Sequence, residues 1–248
     1  FAHTARISRA IRGGFAGADL VLCLGRLEEQ WMSTQFPRHR AKLAHYVAAL
    51  REEDRAPLAA VRAGRASEAT TSARQGTRFL WLGRFTAHKG PQTFIRWVRE
   101  RMKSHSNDSF TIAGCGEIPP PDAPRDLIER GFLRVVSRFR RSELPALLAA
   151  HDAGVFTSEA EGWGLSLHEM IEAGMPIFAT YAGGVADLAE VLPQTVRQFP
   201  PPAEVLPAPL AELEERGYFE RFSWPRIAAD YERLLSERFA DRLPAGHV

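Results

Sequence analysis

Two segments of this sequence carry residue types suited to a phosphorylated, hydroxyl-rich ligand. The first is Gly83-Arg84-Phe85-Thr86-Ala87-His88-Lys89-Gly90, which sets two cations just ahead of an expected helix. Arginine grips phosphate oxygens in a fork, lysine adds a point charge, and helix N-terminal amides add partial positive charge. Together they could neutralise a diphosphate without a metal ion. The second segment is Glu161-Gly162-Trp163-Gly164-Leu165-Ser166-Leu167-His168-Glu169. Its glycines expose backbone amides at a helix start, a geometry suited to anions. Its glutamates would repel a phosphate, so they make sense as acceptors of hydroxyl hydrogens, as from a sugar. Gly183-Gly184 offers further amides ahead of another helix, and Gly114-Cys115-Gly116 could let the backbone approach a ligand closely, with a plain tight turn as the simpler reading. Plain strand-to-helix turns with solvated charges are the alternative for the first segment. An exposed, glutamate-bearing helix is the alternative for the second, but it leaves the glycines and Glu161 without a reason.

The elements that must position these loops begin at about residue 78, where short apolar runs alternate with helical patterns. Residues 79–82, 110–113, 132–136, 154–158, 176–180 and 195–199 read as buried strands. Between them the pattern predicts helices over 91–103, over Leu144, Leu147 and Leu148 with Ser142 as cap, and at about 165–174 and 185–191. This alternation predicts an α/β fold with a Rossmann-like, doubly wound parallel sheet, whose ligands sit beyond the carboxyl ends of the strands. Ahead of it, residues 18–24 read as one strand, with a short basic helix before it and a helix to about Phe36 after it. Residues 52–77 show no clear apolar stripe and read as a linker. Residues 209–217 and 224–239 read as helices, the second capped by Ser223.

Composition bounds the function classes. With 248 residues, 45% apolar and 25% charged, the chain has the make-up of a water-soluble globular protein with one large domain, or one domain plus part of another. Three lysines and 29 arginines against 30 acidic residues leave a net charge of +2, which implies no whole-chain attraction to nucleic acid. No apolar run approaches the roughly 18 residues that span a bilayer. Cys23 and Cys115 lie far apart, which suits a reducing compartment and excludes a cysteine-based zinc cluster or disulfide scaffold. The other signals are weaker. Arg6, Arg9 and Arg12 recur every third residue and could touch an anionic lipid surface, although a solvated helix face is the default. The histidines show no metal-ligand spacing. The opening at Phe1, with neither methionine nor signal segment, suggests a fragment.

Gly83-Arg84 with Lys89-Gly90, Glu161-Gly162-x-Gly164-Leu165 with Glu169, Gly174-x-Pro176 and Gly183-Gly184 together resemble the group 1 glycosyltransferases, the family-4 retaining enzymes of GT-B fold. Phe222-Ser223-Trp224 is similar to that family's C-terminal end, so the resemblance covers roughly residues 78–240. It implies that 1–55 is a remnant of the N-terminal, acceptor-side Rossmann-like domain, 56–77 a linker, 78–222 the C-terminal nucleotide-sugar donor domain, and 223–248 a C-terminal helix and tail. It implies that Arg84 and Lys89 hold the donor diphosphate and stabilise the leaving nucleotide. Glu169 would bind the ribose hydroxyls and Glu161 a hydroxyl of the transferred sugar. Gly83, Gly162, Trp163, Gly164, Leu165, Gly183 and Gly184 would line the sugar and phosphate, and the base would meet residues 136–139.

Departures from the family pattern are visible. Asp187 stands where the family usually has glutamate, Trp163 replaces a common phenylalanine as an aromatic wall, and residues 42–54 lack the usual Pro-Asn-Gly turn. His3 could be the acceptor-domain histidine of some relatives, with a plain surface histidine as the simpler reading. The implied activity is sugar transfer from a nucleotide-diphosphate sugar to an unidentified hydroxyl acceptor: glycan, lipid or small molecule. It would proceed with retention and without a cofactor or metal, as the lack of any Asp-x-Asp pair agrees. The cytoplasm is the expected location, with the inner face of the membrane as a second option. Because much of a first domain is absent from these residues, a non-catalytic nucleotide-sugar-binding module or partner subunit is the alternative. A nicotinamide-dependent oxidoreductase would want Gly-x-Gly-x-x-Gly after its first strand, which residues 83–90 do not provide.

Overall fold

Alternating side chains along the strands decide how this chain buries itself. The computed structural model describes residues 12–68, 76–118 and 122–241. A small unit comes first: strand β1 (Val21–Leu24), helix α1 (Arg26–Gln35) and strand β2 (Leu43–Tyr46), the two strands paired in parallel. Helix α2 (Glu52–Glu68) leads to the larger unit. There β3 (Arg78–Leu82), α3 (Pro91–Arg101), β4 (Ser109–Ala113), α4 (Arg125–Glu129) and β5 (Leu133–Val136) form the first half. The second half is α5 (Leu144–Ala149), β6 (Ala153–Phe156), α6 (Leu165–Glu172), β7 (Ile177–Ala179), α7 (Val185–Val191) and β8 (Val196–Gln198). Three helices follow, α8 (Glu212–Glu215), α9 (Tyr218–Arg221) and α10 (Trp224–Arg238), the last capped by the Ser223 hydroxyl, which accepts from the Arg226 amide.

The six strands of the larger unit lie in the order β5-β4-β3-β6-β7-β8, every pair parallel. The chain therefore builds outward from β3 to one edge, returns to β6 beside β3, and builds outward to the other edge. Where strand order reverses in this way, the loops leaving the two central strands diverge and open a crevice beyond their carboxyl ends. Phe79, Trp81, Phe110, Ile112, Val155 and Phe178 enter one buried cluster with α3, while Leu80, Ala113, Phe156, Ile177 and Ala179 enter another with α5, α6 and α7. Phe79 and Phe110, paired across β3 and β4, stack at 5.5 Å. Each fully buried side chain of this size contributes about 1.5–3 kcal/mol, so helices on both faces are what the pattern demands.

The structure differs from the sequence-based expectation at four elements. Residues 52–68 of the expected linker region form α2, which buries Leu58 but docks mainly through arginines. Arg62 donates to the Glu172 carbonyl at 2.6 Å, and Arg65 donates to the carbonyls of Ala173, Leu148 and His151 at 2.7–2.8 Å. These oxygens sit at the C-terminal ends of α6 and α5, where carbonyls lack helical partners and cations are favoured. A helix held by arginine on carbonyls shows no apolar stripe to read. Strand β2 was not expected. Ser142 is not a cap: residues 141–143 form a 3₁₀ turn in which the Arg140 amide donates to Glu143 Oε2 at 2.6 Å. The helix expected over 209–217 is shortened to α8, and a further short helix, α9, follows the left-handed Gly217 (φ +63°). Among the described residues, no helix is long and apolar enough to cross a membrane. Arg12 is exposed, whereas His3, Arg6 and Arg9 lie outside the described residues.

Candidate functional site

The loops leaving β3 and β6 are stapled together at the point where strand order reverses. Gly90 adopts φ +64°, and a Cβ there would fall on the Thr157 carbonyl oxygen, so no other residue fits without displacing backbone. The Thr157 hydroxyl accepts from Trp81 Nε1 at 2.9 Å and donates to the Gly90 carbonyl at 2.8 Å. The Glu159 amide donates to the His88 carbonyl at 2.8 Å. Held this way, the Lys89 ammonium forms an ion pair with the Glu161 carboxylate, with the two side chains only 18% and 14% exposed. The Gly162 amide donates to the other Glu161 oxygen at 3.2 Å. The Glu161 carboxylate therefore rests between a cation and a backbone amide, the two kinds of group that would receive a phosphate. Arg84 lies exposed in the same loop, with no ion-pair partner among the described residues. Gly83 is half-buried, and its amide donates to the Ala113 carbonyl at 3.0 Å.

Glu169 lies one turn into α6 and is 8% exposed. It forms an ion pair with Arg141, whose Nε also donates to Asp54 at 3.0 Å, and Asp54 in turn accepts from Arg51 at 3.2 Å. The hydrogen bond from Arg141 holds the Asp54 carboxyl below the usual carboxylate range. Burial acts the other way on Glu169 and outweighs Arg141, leaving that carboxyl above its ordinary value. From the sequence, Arg138, Arg140 and Arg141 flank the expected base site at 136–139, with a charged loop as the simpler reading, and only the structure brings Arg141 to Glu169. The position of Arg141 after β5, at the carboxyl edge of the sheet, was the one available signal.

Gly164 begins α6 at φ +92°, where a side chain would crowd Leu167 and Phe156. Leu165 opens the helix, 48% exposed, in the first turn where backbone N–H groups have no partner within the helix. Trp163 departs from its expected role. It is 3% exposed and faces the interior, packed over Phe222 rather than forming a wall of the crevice. Nor does the 183–184 pair expose both amides. The Gly184 N–H is committed to the Trp163 carbonyl at 2.9 Å, and a Cβ on Gly184 would stand 2.8 Å from the indole. Gly183, at φ +57°, takes the Glu161 side chain against its α-carbon. These two glycines shape the Glu161 turn by letting it approach. In the segment after β5, Phe139 covers Gly114, and Ser137 accepts the Gly116 amide at 2.9 Å.

The small N-terminal unit meets the site at Asp187. This buried carboxylate accepts from the Arg26 amide at 2.9 Å and pairs with His45 Nε2 at 2.7 Å. Burial raises its pKa, but the His45 and Arg26 contacts outweigh burial and hold the carboxyl below its usual range. The aspartate, one methylene shorter than glutamate, thus ties the turn after β1 to α7.

Comparison with known proteins agrees with this fold. The model of the family described as glycosyl transferases group 1 matches residues 76–199. The D-inositol 3-phosphate glycosyltransferase of Corynebacterium kroppenstedtii is 29% identical over 118 residues, covering 44% of this chain and 26% of that protein. Among solved structures, the starch synthase IV catalytic domain of Arabidopsis thaliana, bound to ADP and acarbose, superposes with a TM-score of 0.61 at 13% identity, over 92% of this chain and 57% of that one. The pneumococcal O-GlcNAc transferase GtfA, in complex with UDP and GlcNAc, gives 0.57 at 16% identity, over 91% and 47%. HepE of Anabaena, in complex with UDP and glucose, gives 0.53 at 17% identity, over 95% and 63%. At these identities the structures speak for a shared GT-B architecture, and this chain spans about a quarter of the curated relative and roughly half of the solved ones.

Proposed function

The chain belongs to the group 1 glycosyl transferases, and from that premise we propose that residues 78–222 bind a nucleotide-diphosphate sugar whose sugar is passed to a hydroxyl acceptor. The observation that carries the reading is the Lys89–Glu161 pair at the crevice between β3 and β6, with Arg84 exposed beside it. An arriving diphosphate takes over the Lys89 ammonium and engages Arg84 and the first-turn amides of α6. The carboxylate it displaces becomes an acceptor for a hydroxyl of the sugar. Glu169 receives ribose hydroxyls while Arg141 steadies its charge. As the glycosidic bond to the diphosphate breaks, negative charge grows on the leaving oxygens, and fixed cations in a partly dry cleft stabilise that growth more than the ground state.

In this reading the residues carry the diphosphate charge without a metal, and the sugar keeps its anomeric configuration, as the resemblance implies. The cytoplasm is the proposed place of action. Calorimetry with a panel of nucleotide sugars, run beside a transfer assay, tests the proposal. Donor binding lost in Lys89→Ala and insensitive to chelator supports it. Strong chelator inhibition reversed by a divalent metal overturns the metal-free part. The alternative reading is a donor-binding module that does not itself transfer the sugar. Binding without transfer by this chain alone would select it.

A further inference from the structure

The strongest unexplained feature lies beneath the Glu161 turn, where five polar side chains run in series through the interior. Trp163, His168, Tyr218 and Glu172 are each at most 3% exposed, and Arg55 is 9% exposed. Trp163 Nε1 stands 2.6 Å from His168 Nε2, His168 Nδ1 is 2.5 Å from the Tyr218 hydroxyl, and that hydroxyl is 3.2 Å from Glu172 Oε1. Arg55 closes the series 3.4 Å from the same Glu172 oxygen.

The chemistry of the groups fixes every hydrogen. An indole N–H can only donate, so His168 Nε2 accepts and its proton sits on Nδ1. Nδ1–H donates to the Tyr218 oxygen, which leaves the tyrosine hydrogen for the Glu172 carboxylate. Desolvation drives the His168 pKa down to about 3, so the ring stays neutral and the direction of the series cannot reverse near neutral pH.

We propose that this series is a positioning device for the donor site, in which His168 locks the Trp163 indole and so sets the shape of the Glu161–Gly164 turn. The proposal rests on the donor-binding reading given above. Trp163 lies inside that turn, and its carbonyl holds the Gly184 amide at 2.9 Å while its ring lies against the Gly184 backbone. Phe222 packs on both Trp163 and His168. Arg55 comes from α2 and Tyr218 from α9, so the series joins two outer helices to the glycine turn. From Trp163 to Glu172 every member holds its partner, and a buried network paired in this way gives one fixed arrangement instead of several. Rigidity here serves the two groups beside Trp163, the Glu161 carboxylate and the amide of Leu165.

The test combines ¹⁵N NMR of the wild-type chain with calorimetry using UDP, ADP and GDP as probes. His168 is expected to show only the Nδ1–H tautomer with no titration between about pH 5 and pH 8. His168→Leu is expected to stay folded and bind the accepted nucleotide about tenfold more weakly. His168→Gln, which keeps an acceptor for the indole, is expected to recover most of that loss. An Nε2–H tautomer, a ring that titrates in that range, or a folded His168→Leu with wild-type affinity would overturn the proposal. If His168→Leu fails to fold, Tyr218→Phe removes only the hydroxyl and answers the same question. If wild type binds none of the three nucleotides, the donor reading fails, while the tautomer measurement still decides the series.

Discussion

The Lys89 ammonium and the Glu161 carboxylate, 72 residues apart in sequence, close on each other between loops that leave neighbouring strands β3 and β6. Glu161 is thus the resident counter-anion of the cation expected to hold phosphate. Glu161→Gln keeps the shape and removes the charge, so UDP, ADP or GDP should bind about tenfold more tightly, while sugar transfer falls by at least as much. Lys89→Ala should weaken nucleotide binding by about two orders of magnitude. Isothermal calorimetry on the two variants checks both, and weaker nucleotide binding by Glu161→Gln would contradict the counter-anion role.

Arg141 and Glu169 predict a change in pH response. Burial raises the Glu169 carboxyl above its ordinary value, and Arg141 opposes that rise. In Arg141→Ala the opposing charge is gone, so the carboxyl rises further and holds its proton to higher pH. A protonated Glu169 is a poorer acceptor for ribose hydroxyls, so nucleotide affinity of this variant should fall more steeply as pH is lowered than in wild type. Glu169→Gln has no carboxyl to titrate and should show no added steepness.

Asp187 predicts an acid-labile contribution to stability. Burial raises this carboxyl, but His45 and Arg26 outweigh burial and hold it below the usual carboxylate range. A depressed acid stabilises the fold at pH above its unfolded value, and that contribution disappears as pH falls through the folded value. Asp187→Asn should therefore cost about 1–3 kcal/mol at pH 7, and the gap to wild type should narrow below about pH 4. Urea melts at a series of pH values measure it. A gap that stays constant into acid would remove the ionised contacts as the cause.

Gly90 and Gly131 separate conformational strain from collision. Both have positive φ, +64° and +73°, but only Gly90 faces the Thr157 carbonyl, whereas nothing lies near a Cβ on Gly131. Gly131→Ala should lose about 1–2 kcal/mol from backbone strain alone. Gly90→Ala should lose about 2–4 kcal/mol, because strain and a backbone clash combine. Equal losses in chemical denaturation would mean that the loop moves aside freely.

The larger unit was legible because its strands are buried on both faces and its loops carry charge where a solvated turn has no need of it. The residues of the Lys89 and Glu161 loops were visible by type, and the structure brings those two together. What escaped the sequence has physical causes. Helix α2 docks by arginine on carbonyl oxygens, which leaves no apolar stripe. Arg141 reaches Glu169 through folding alone, with no fixed spacing. Trp163 looked like a ligand wall because an aromatic between glycines suits either side of a turn, and only the buried acceptor on His168, one helical turn away, decides that it faces inward.

The Thr157 hydroxyl, receiving the Trp81 indole and giving to the Gly90 carbonyl, leaves the cationic loop little freedom to follow a visitor. The span from Lys89 to the start of α6 is then a fixed gauge rather than a grasping hand. Under the donor-binding proposal, a ligand would have to match the spacing that these two loops already hold, because the staple keeps the first of them from closing further.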